Sequence, residues 1–324
     1  MLELRYNDVN WSVPMLFGED VLILTLLNIL KQQNIKYKLD VYGAPICEWS
    51  NNIGNYLETD DVSFISRSID NFSFQDVTPT LSFDRFNLQI ISFFNRFCND
   101  IANEVSRFGG NFVLTSDKLF KHIKKQYPKA YCISSCFKPF YEFADDIKNN
   151  THSFEKELEY YNQLIKVYDR VILRPEFVNS GLVKHLDDLS KVEIIVNHPC
   201  IKDCPSAKKH LEYFEKKLNL KNEKEEFMCR LNYKHYDELN PDLLLSFDEI
   251  DSFVEDGVKH FRILPVKSSN SSILLMTVIN YIFKPNTQNS LLCDLVLKNF
   301  DETSIFYADE ILKNSKIQNY KNAF

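Results

Sequence analysis

Glycine is scarce in this chain, with 7 residues in 324. Neither a Gly-x-Gly-x-x-Gly nor a Gly-x4-Gly-Lys-Ser/Thr turn follows any apolar run, so the phosphate cradles of nucleotide-binding folds are missing. The same scarcity excludes a loop-rich, low-complexity chain. Basic charge is also short: 38 Lys and Arg stand against 45 Asp and Glu, a net charge of −7. A nucleic-acid binder ordinarily carries a basic face, and no strong signature of one is present. Long apolar runs are lacking too. Asn28 interrupts Val21–Leu30 and Asn280 interrupts Ile273–Phe283, and both fall short of the roughly 20 residues that span a bilayer. Residues 1–10 include Glu3, Arg5 and Asp8 and have no apolar centre, unlike a secretory leader. The expectation is a cytoplasmic protein without a membrane partner, whose 8 cysteines are thiols or ligands rather than disulfides.

What is present is material for a core. Hydrophobic residues make up 44% of the chain, with 26 Phe and 16 Tyr among them, so large rings fill the interior. Short apolar runs alternate with amphipathic stretches. Strands are expected at Leu2–Tyr6, Tyr37–Tyr42, Thr78–Phe83, Asn111–Leu114, Lys129–Cys136, Arg170–Arg174, Val192–Val196 and His260–Val266. Gly43-Ala44-Pro45 is expected to stop the second. Helical spacing marks Glu19–Lys31, Leu88–Phe108, Asp117–Gln126, Phe154–Val167, Ser180–Leu189, Ser272–Phe283 and Ile305–Lys313. Ser246-Phe247-Asp248-Glu249 has the capping-box pattern, opening a helix that Gly257 closes. Ile46–Asp70 has no clear period.

Eight strands alternating with helices predict an α/β (β/α)8 barrel, possible insertions included, with a doubly wound sheet as the rival. A single barrel domain is expected over residues 1–324, with residues 267–324 as a helical extension.

Such barrels build their sites at the C-terminal ends of the strands. The residues placed there are Asn7, Asp8, Tyr42, Asp84, Thr115, Ser134 to Cys136, Glu176, Asn179, Asn197 to Cys204 and Arg262. Cys200 and Cys204 lie four apart in a turn, where two thiolates converge on one metal ion or cluster. Cys229, 25 residues on, is the preferred third ligand; His210, His198 or Cys136 could be the fourth. Ordinary thiols are the competing reading. Cys132, Ser134 and Cys136 share strand parity and are expected on one face of the fifth strand, as a ligand, a nucleophile or plain packing. Glu176 suits a general acid or base, or a salt bridge to Arg174. Arg262 suits an anionic substrate group, or an ion pair between elements. His122 and His152 read as surface residues.

One stretch carries a resemblance. VNHPCIKDCPSAKKH after the seventh strand resembles the Asn and C-x3-C-P…His pattern of the collagenase-like peptidase family (peptidase family U-32). YYNQLIKVYDRVILRPEF and FDEIDSFVEDGVKHFRILPV resemble the segments before and after it, so the similarity covers about residues 160–266. The resemblance implies a TIM-like barrel, a four-cysteine iron–sulfur cluster (4Fe-4S), and hydroxylation or another modification of a larger substrate such as a peptide or RNA; zinc on the same cysteines is the alternative metal. It supports Cys200 and Cys204, and Cys229 more weakly. Where the family has Lys and a following Gly-Arg, this chain has Arg262 and Leu264-Pro265. A metal- or thiol-dependent peptidase or hydrolase is the second expectation. A non-catalytic barrel serving as a protein partner is the third.

Overall fold

The computed structural model describes residues 2–14, 16–17, 20–45, 47–50, 56–57, 62–73, 77–149, 151–198, 245–265 and 271–287. Eight strands form the frame: β1 (Asn10–Val13), β2 (Lys38–Pro45), β4 (Thr78–Phe83), β5 (Asn111–Leu114), β6 (Tyr131–Ser134), β7 (Arg170–Ile172), β8 (Val192–Ile195) and β9 (His260–Arg262). Each is parallel to the next, and β1 pairs with both β2 and β9, so the sheet closes into a (β/α)8 barrel. The two-residue β3 (Tyr56–Leu57) adds to the end of β2 outside the ring.

Helices cover the outside: α1 (Asp20–Gln32), α2 (Val62–Ser73), α3 (Arg96–Arg107), α4 (Asp117–Gln126), the short α5 (Phe137–Glu142) and α6 (Ala144–Lys148), α7 (Phe154–Val167), α8 (Pro175–Val178), α9 (Phe247–Asp256) and α10 (Ser271–Ile282). Local chemistry sets several of their ends. Ser116 Oγ accepts from Leu119 N, and Ser246 and Glu249 form the reciprocal capping box of α9. Gly257 ends α9 at φ 110°, a left-handed position that costs glycine little.

Four expectations need correction. Leu2–Tyr6 is not a barrel strand. Leu4 makes an antiparallel bridge to Phe283, and Arg5 N donates to Ile282 O at 2.8 Å, so this segment docks on the end of α10. The first barrel strand is Asn-Trp-Ser-Val, four residues with two polar side chains, too short for a clear period. Gly43 does not stop β2, because a Cβ there would lie 2.7 Å from Phe17 and its absence lets that ring pack against the running strand. Leu88–Phe108 is not one helix. A 3₁₀ turn covers Ile90–Phe94, then Asn95 leaves helical geometry and caps α3 by accepting from Cys98 N at 2.9 Å. Ile101 and Val105 are buried, but Ile90, Ile91 and Phe94 are 76%, 72% and 79% exposed. Ser180–Leu189 contains a 3₁₀ turn, Val183–His185, rather than a helix, and a second turn, Leu189–Lys191, leads into β8. The expected helix at Ile305–Lys313 lies outside the described residues.

Candidate functional site at the barrel mouth

Side chains alternate across every strand, and the two faces differ in chemistry. Trp11, Val41, Phe83, Phe112, Leu114, Ile194 and Phe261 face the helices and join the main core. The opposite parity faces the barrel axis. Its apolar members are a small separate cluster of Val113, Ile133, Ile172 and Ile195. Its polar members include Ser12, Asp40, Thr80, Asn111, Arg170, Glu193 and Arg262, all buried. A barrel interior filled by branched aliphatics would show no such set.

The charges are joined across the lumen. Arg170 Nη1 donates to Asp40 Oδ2 at 2.6 Å and to Glu193 Oε2 at 3.2 Å. Arg262 Nε donates to Glu193 Oε1 at 2.7 Å, and Asn10 Nδ2 donates to Asp40 Oδ2 at 3.0 Å. Burial alone would raise the Glu193 carboxyl, but Arg262 and then Arg170 outweigh it and hold it at about 2. His260 is pushed down to about 4, first by burial and then by Arg170.

Above this network, at the C-terminal mouth, Arg262 is fixed on two sides. Glu193 holds its Nε, and its guanidinium carbon lies 4.1 Å from the centre of the Tyr42 ring. Tyr42 in turn donates to Ile263 O at 2.8 Å. Arg262 Nη2 is buried with no hydrogen-bond partner among the described residues, and the same holds for Thr115 Oγ1 at the end of β5. Asp84, just beyond β4, is buried and faces Arg262. Burial pushes its carboxyl up to about 7 even though Arg262 pulls it down. Cys136 is pushed up to about 12 by burial and by Asp84, against the pull of Arg262.

The sequence candidates divide as follows. Asp84, Tyr42, Cys136 and Arg262 come together at the mouth, and Thr115 N donates to the carbonyl of Phe83, the residue before Asp84, at 3.4 Å. Arg262 makes the ion pair expected of it, and so does Glu176, which lies 3.5 Å from Arg174. Glu157 also grips Arg174, at 3.1 and 2.8 Å. Glu176 and Asn179 line a cleft of about 330 Å³ with Phe154, Glu155, Ser180 and Leu182. Asn7 and Asp8 lie before β1, at the opposite end of the barrel, and Asp8 pairs with Lys38 at the surface.

Cys132 and Ser134 do not share a face with Cys136. Cys132 packs in the helix-facing core, whereas Cys136 packs against the interior cluster, because the strand ends at Ser134 and the backbone turns helical by Cys136. His122 and His152 are half-buried rather than surface residues. His122 packs on Trp49 and Phe93, and His152 pairs with the buried Glu157 at 2.9 Å.

Asn197 forms a two-way clasp with Leu264, donating at 3.0 Å and accepting at 2.6 Å. Leu245 N donates to Val196 O at 3.0 Å, so the chain before and after residues 199–244 is anchored at one point of the rim. Cys200, Cys204, His210 and Cys229 lie outside the described residues. His198 is described, and burial pushes it down to about 4, which keeps the neutral, ligating form at ordinary pH. Among the described residues no group of three or more His, Cys, Asp or Glu could hold a metal ion. Of the expected metal ligands, Cys136 and His198 lie among them.

Asp40, Arg170 and Glu193 are the site residues that sequence reasoning missed. Their signal was parity: each is a charged residue on the inward face of a strand, beside apolar neighbours that face the helices, Leu39 and Val41, Val171, and Val192 and Ile194.

No protein-family model matches this chain, no curated protein matches it, and no solved structure matches it.

Proposed function

We propose that this protein is a barrel enzyme that modifies its substrate at the C-terminal mouth, with Asp84 exchanging a proton and Arg262 as a fixed cation. The observation that carries the reading is the Asp84 carboxyl, buried beside Arg262 with its titration brought to about 7. A group that titrates near the working pH is present in both forms and can act as acid or base. Arg262 cannot move away, because Glu193 and Tyr42 hold it. It can only serve charge that develops next to it, as preorganised cations in dry sites do. A thiol nucleophile is less well supported: at about 12, Cys136 carries almost no thiolate near neutral pH. Glu176, on the neighbouring cleft, would contact the remainder of a larger substrate, a peptide or an RNA.

Incubation of the full chain with a cell extract of small molecules, peptides and RNA tests the reading by mass spectrometry. At least one species should change with the native protein and stay unchanged with Asp84→Asn and Arg262→Gln. An extract altered equally by all three, or by none, contradicts it.

A second reading keeps the iron–sulfur cluster or zinc. The clasp at Asn197 and the Val196–Leu245 bond start and end residues 199–244 at the rim where Cys136 packs. Cys200, Cys204, Cys229 and His210 would then supply ligands beside Cys136 or His198, and the group would add redox or Lewis-acid chemistry at the same mouth. Stoichiometric iron or zinc in anaerobically purified protein, lost in Cys200→Ala/Cys204→Ala, is the expected result. Folded protein without metal would remove this reading and leave the first intact.

A further inference from the structure

Cys47 and Cys98 are distant in sequence and meet in the fold. Cys47 lies in the turn after β2, and Cys98 in the first turn of α3. Both are buried free thiols in the main core, and their side chains are hydrogen-bonded to each other. Polar contacts beside them fix the approach. Glu48 accepts from Ser92 Oγ at 2.6 Å and from Asn95 Nδ2 at 3.1 Å, and Trp49 Nε1 donates to Ser92 O at 2.7 Å. Asn95 caps α3 and accepts from Cys98 N at 2.9 Å. The residues next to Cys47 are thus bonded to the residues that lead into Cys98. Arg85 holds the same turn from its other side, with N donating to Trp49 O at 3.1 Å and Nη1 to Glu48 O at 3.2 Å.

A buried thiol packs as a small hydrophobe and needs no second thiol beside it. Here two sulfurs face each other, and their surroundings set how they react. Burial and then Cys98 push the Cys47 thiol well up, while the backbone N–H groups of Trp49 and Ser50 donate to its sulfur and pull the other way. A thiol held up in this manner reacts slowly. The dithiol is therefore the resting form, and only a small, strong oxidant closes it. Cys47 is 7% exposed and Cys98 0%, so Cys47 is the sulfur such an oxidant reaches.

We propose that Cys47 and Cys98 are a hydroperoxide-sensitive pair that closes reversibly into a disulfide, stapling the turn after β2 to the start of α3. Hydrogen peroxide oxidises the Cys47 sulfur to a sulfenic acid: an S–O bond forms, the O–O bond breaks, and the departing hydroxide leaves as water with the Cys47 proton. The Cys98 sulfur then attacks the sulfenic sulfur. The S–S bond forms, and the hydroxyl leaves as a second water with the Cys98 proton. Two thiols and one peroxide give one disulfide and two waters. An S–S bond of about 2.0 Å is shorter than a hydrogen bond between sulfurs, so closure draws the two segments together. Cys47 lies outside β2, and the movement falls on its turn rather than on the barrel. The staple depends on neither reading of the mouth.

The test treats the reduced full chain with excess hydrogen peroxide, alkylates the remaining thiols under denaturing conditions and maps the products by peptide mass spectrometry. A peptide pair joined through Cys47 and Cys98 should dominate the disulfides, about 2 Da lighter than the two thiol peptides together. Dithiothreitol should return both thiols. Oxidation should raise the urea midpoint of the native protein, because the bond restricts the unfolded chain, and should not raise that of Cys98→Ala. In Cys98→Ala the Cys47 sulfenic acid should persist and be trapped by dimedone. If Cys98→Ala does not fold, the mapping and its reversal in the native chain still decide. Cys47 and Cys98 that remain thiols under excess peroxide, or that pair preferentially with other cysteines, overturn the proposal. So does a Cys47 driven to the sulfonic acid without a bond to Cys98.

Discussion

Arg170 on β7 reaches Asp40 on β2 across the width of the barrel, nitrogen to oxygen, at 2.6 Å. The two strands are four places apart in a ring of eight, so this ion pair ties opposite walls. It is 4% and 5% exposed at its two side chains, and solvent does not screen it. Breaking such a pair leaves a buried charge without its partner. Asp40→Asn and Arg170→Met should each cost about 3–5 kcal/mol in urea unfolding. The double variant Asp40→Asn/Arg170→Met should cost less than the sum, because Asp40 is no longer a carboxylate facing a missing cation and Glu193 keeps Arg262. Additive losses would show that the pair does not act as a unit.

Asp84 should make stability fall as pH rises. Its folded titration is raised to about 7 from an ordinary value of 3.8. Folded protein therefore holds the proton more tightly than unfolded protein between those values, and that contribution is lost as pH rises through about 7. Asp84→Asn removes the dependence. Relative to the native protein, the variant should gain stability at mildly alkaline pH and none near pH 4, a tenfold difference in proton affinity being worth about 1.4 kcal/mol. Urea midpoints measured across this range check it, and a constant difference between the two proteins would refute it.

Acid should act on the network beneath. His260 is held near 4 and Glu193 near 2, both below their ordinary values. A depressed histidine contributes stability that is lost as pH falls from about 6.5 through 4. A depressed carboxylate contributes stability that is lost over a lower window, from about 4.5 through 2. Acid unfolding followed by circular dichroism should therefore lose its upper part in His260→Gln and its lower part in Glu193→Gln. Unchanged profiles in both variants would contradict the assignment.

Backbone contact makes a prediction independent of charge. A Cβ on Gly110 would lie 2.5 Å from Pro79 O and 2.7 Å from Val105, between α3 and β4. Neither neighbour is a flexible side-chain end. Gly110→Ala should cost about 1–3 kcal/mol as an overpacking substitution, readable as a lowered urea midpoint. Gly109→Ala meets nothing within 4 Å and is strained only by its φ of 67°. It should cost about 1 kcal/mol.

The frame was legible where a local rule is strong. Thr78–Phe83, Asn111–Leu114, Asp117–Gln126, Phe154–Val167 and the Ser246 capping box stand where their periods and caps put them. Legibility failed where tertiary contact overrode pattern. β1 hides because Asn10 and Ser12 face a polar lumen, so its inward positions are not apolar. Ile90, Ile91 and Phe94 have a helical period and yet are exposed, because Asn95 caps a separate helix after them. The mouth was half legible. Asp84 and Arg262 could be placed at strand ends from spacing, but their meeting depends on closure of the ring between residues 178 apart in sequence. Glu193 passed as part of an apolar run, although it is the carboxylate that fixes Arg262.

The proton-transfer reading stands or falls on the titration of Asp84, which ¹³C NMR of the labelled aspartate carboxyl measures directly. The expected midpoint is about 7 in the native protein, and higher in Arg262→Gln because Arg262 pulls it down. A midpoint near the ordinary 3.8, or one indifferent to Arg262, would contradict the account.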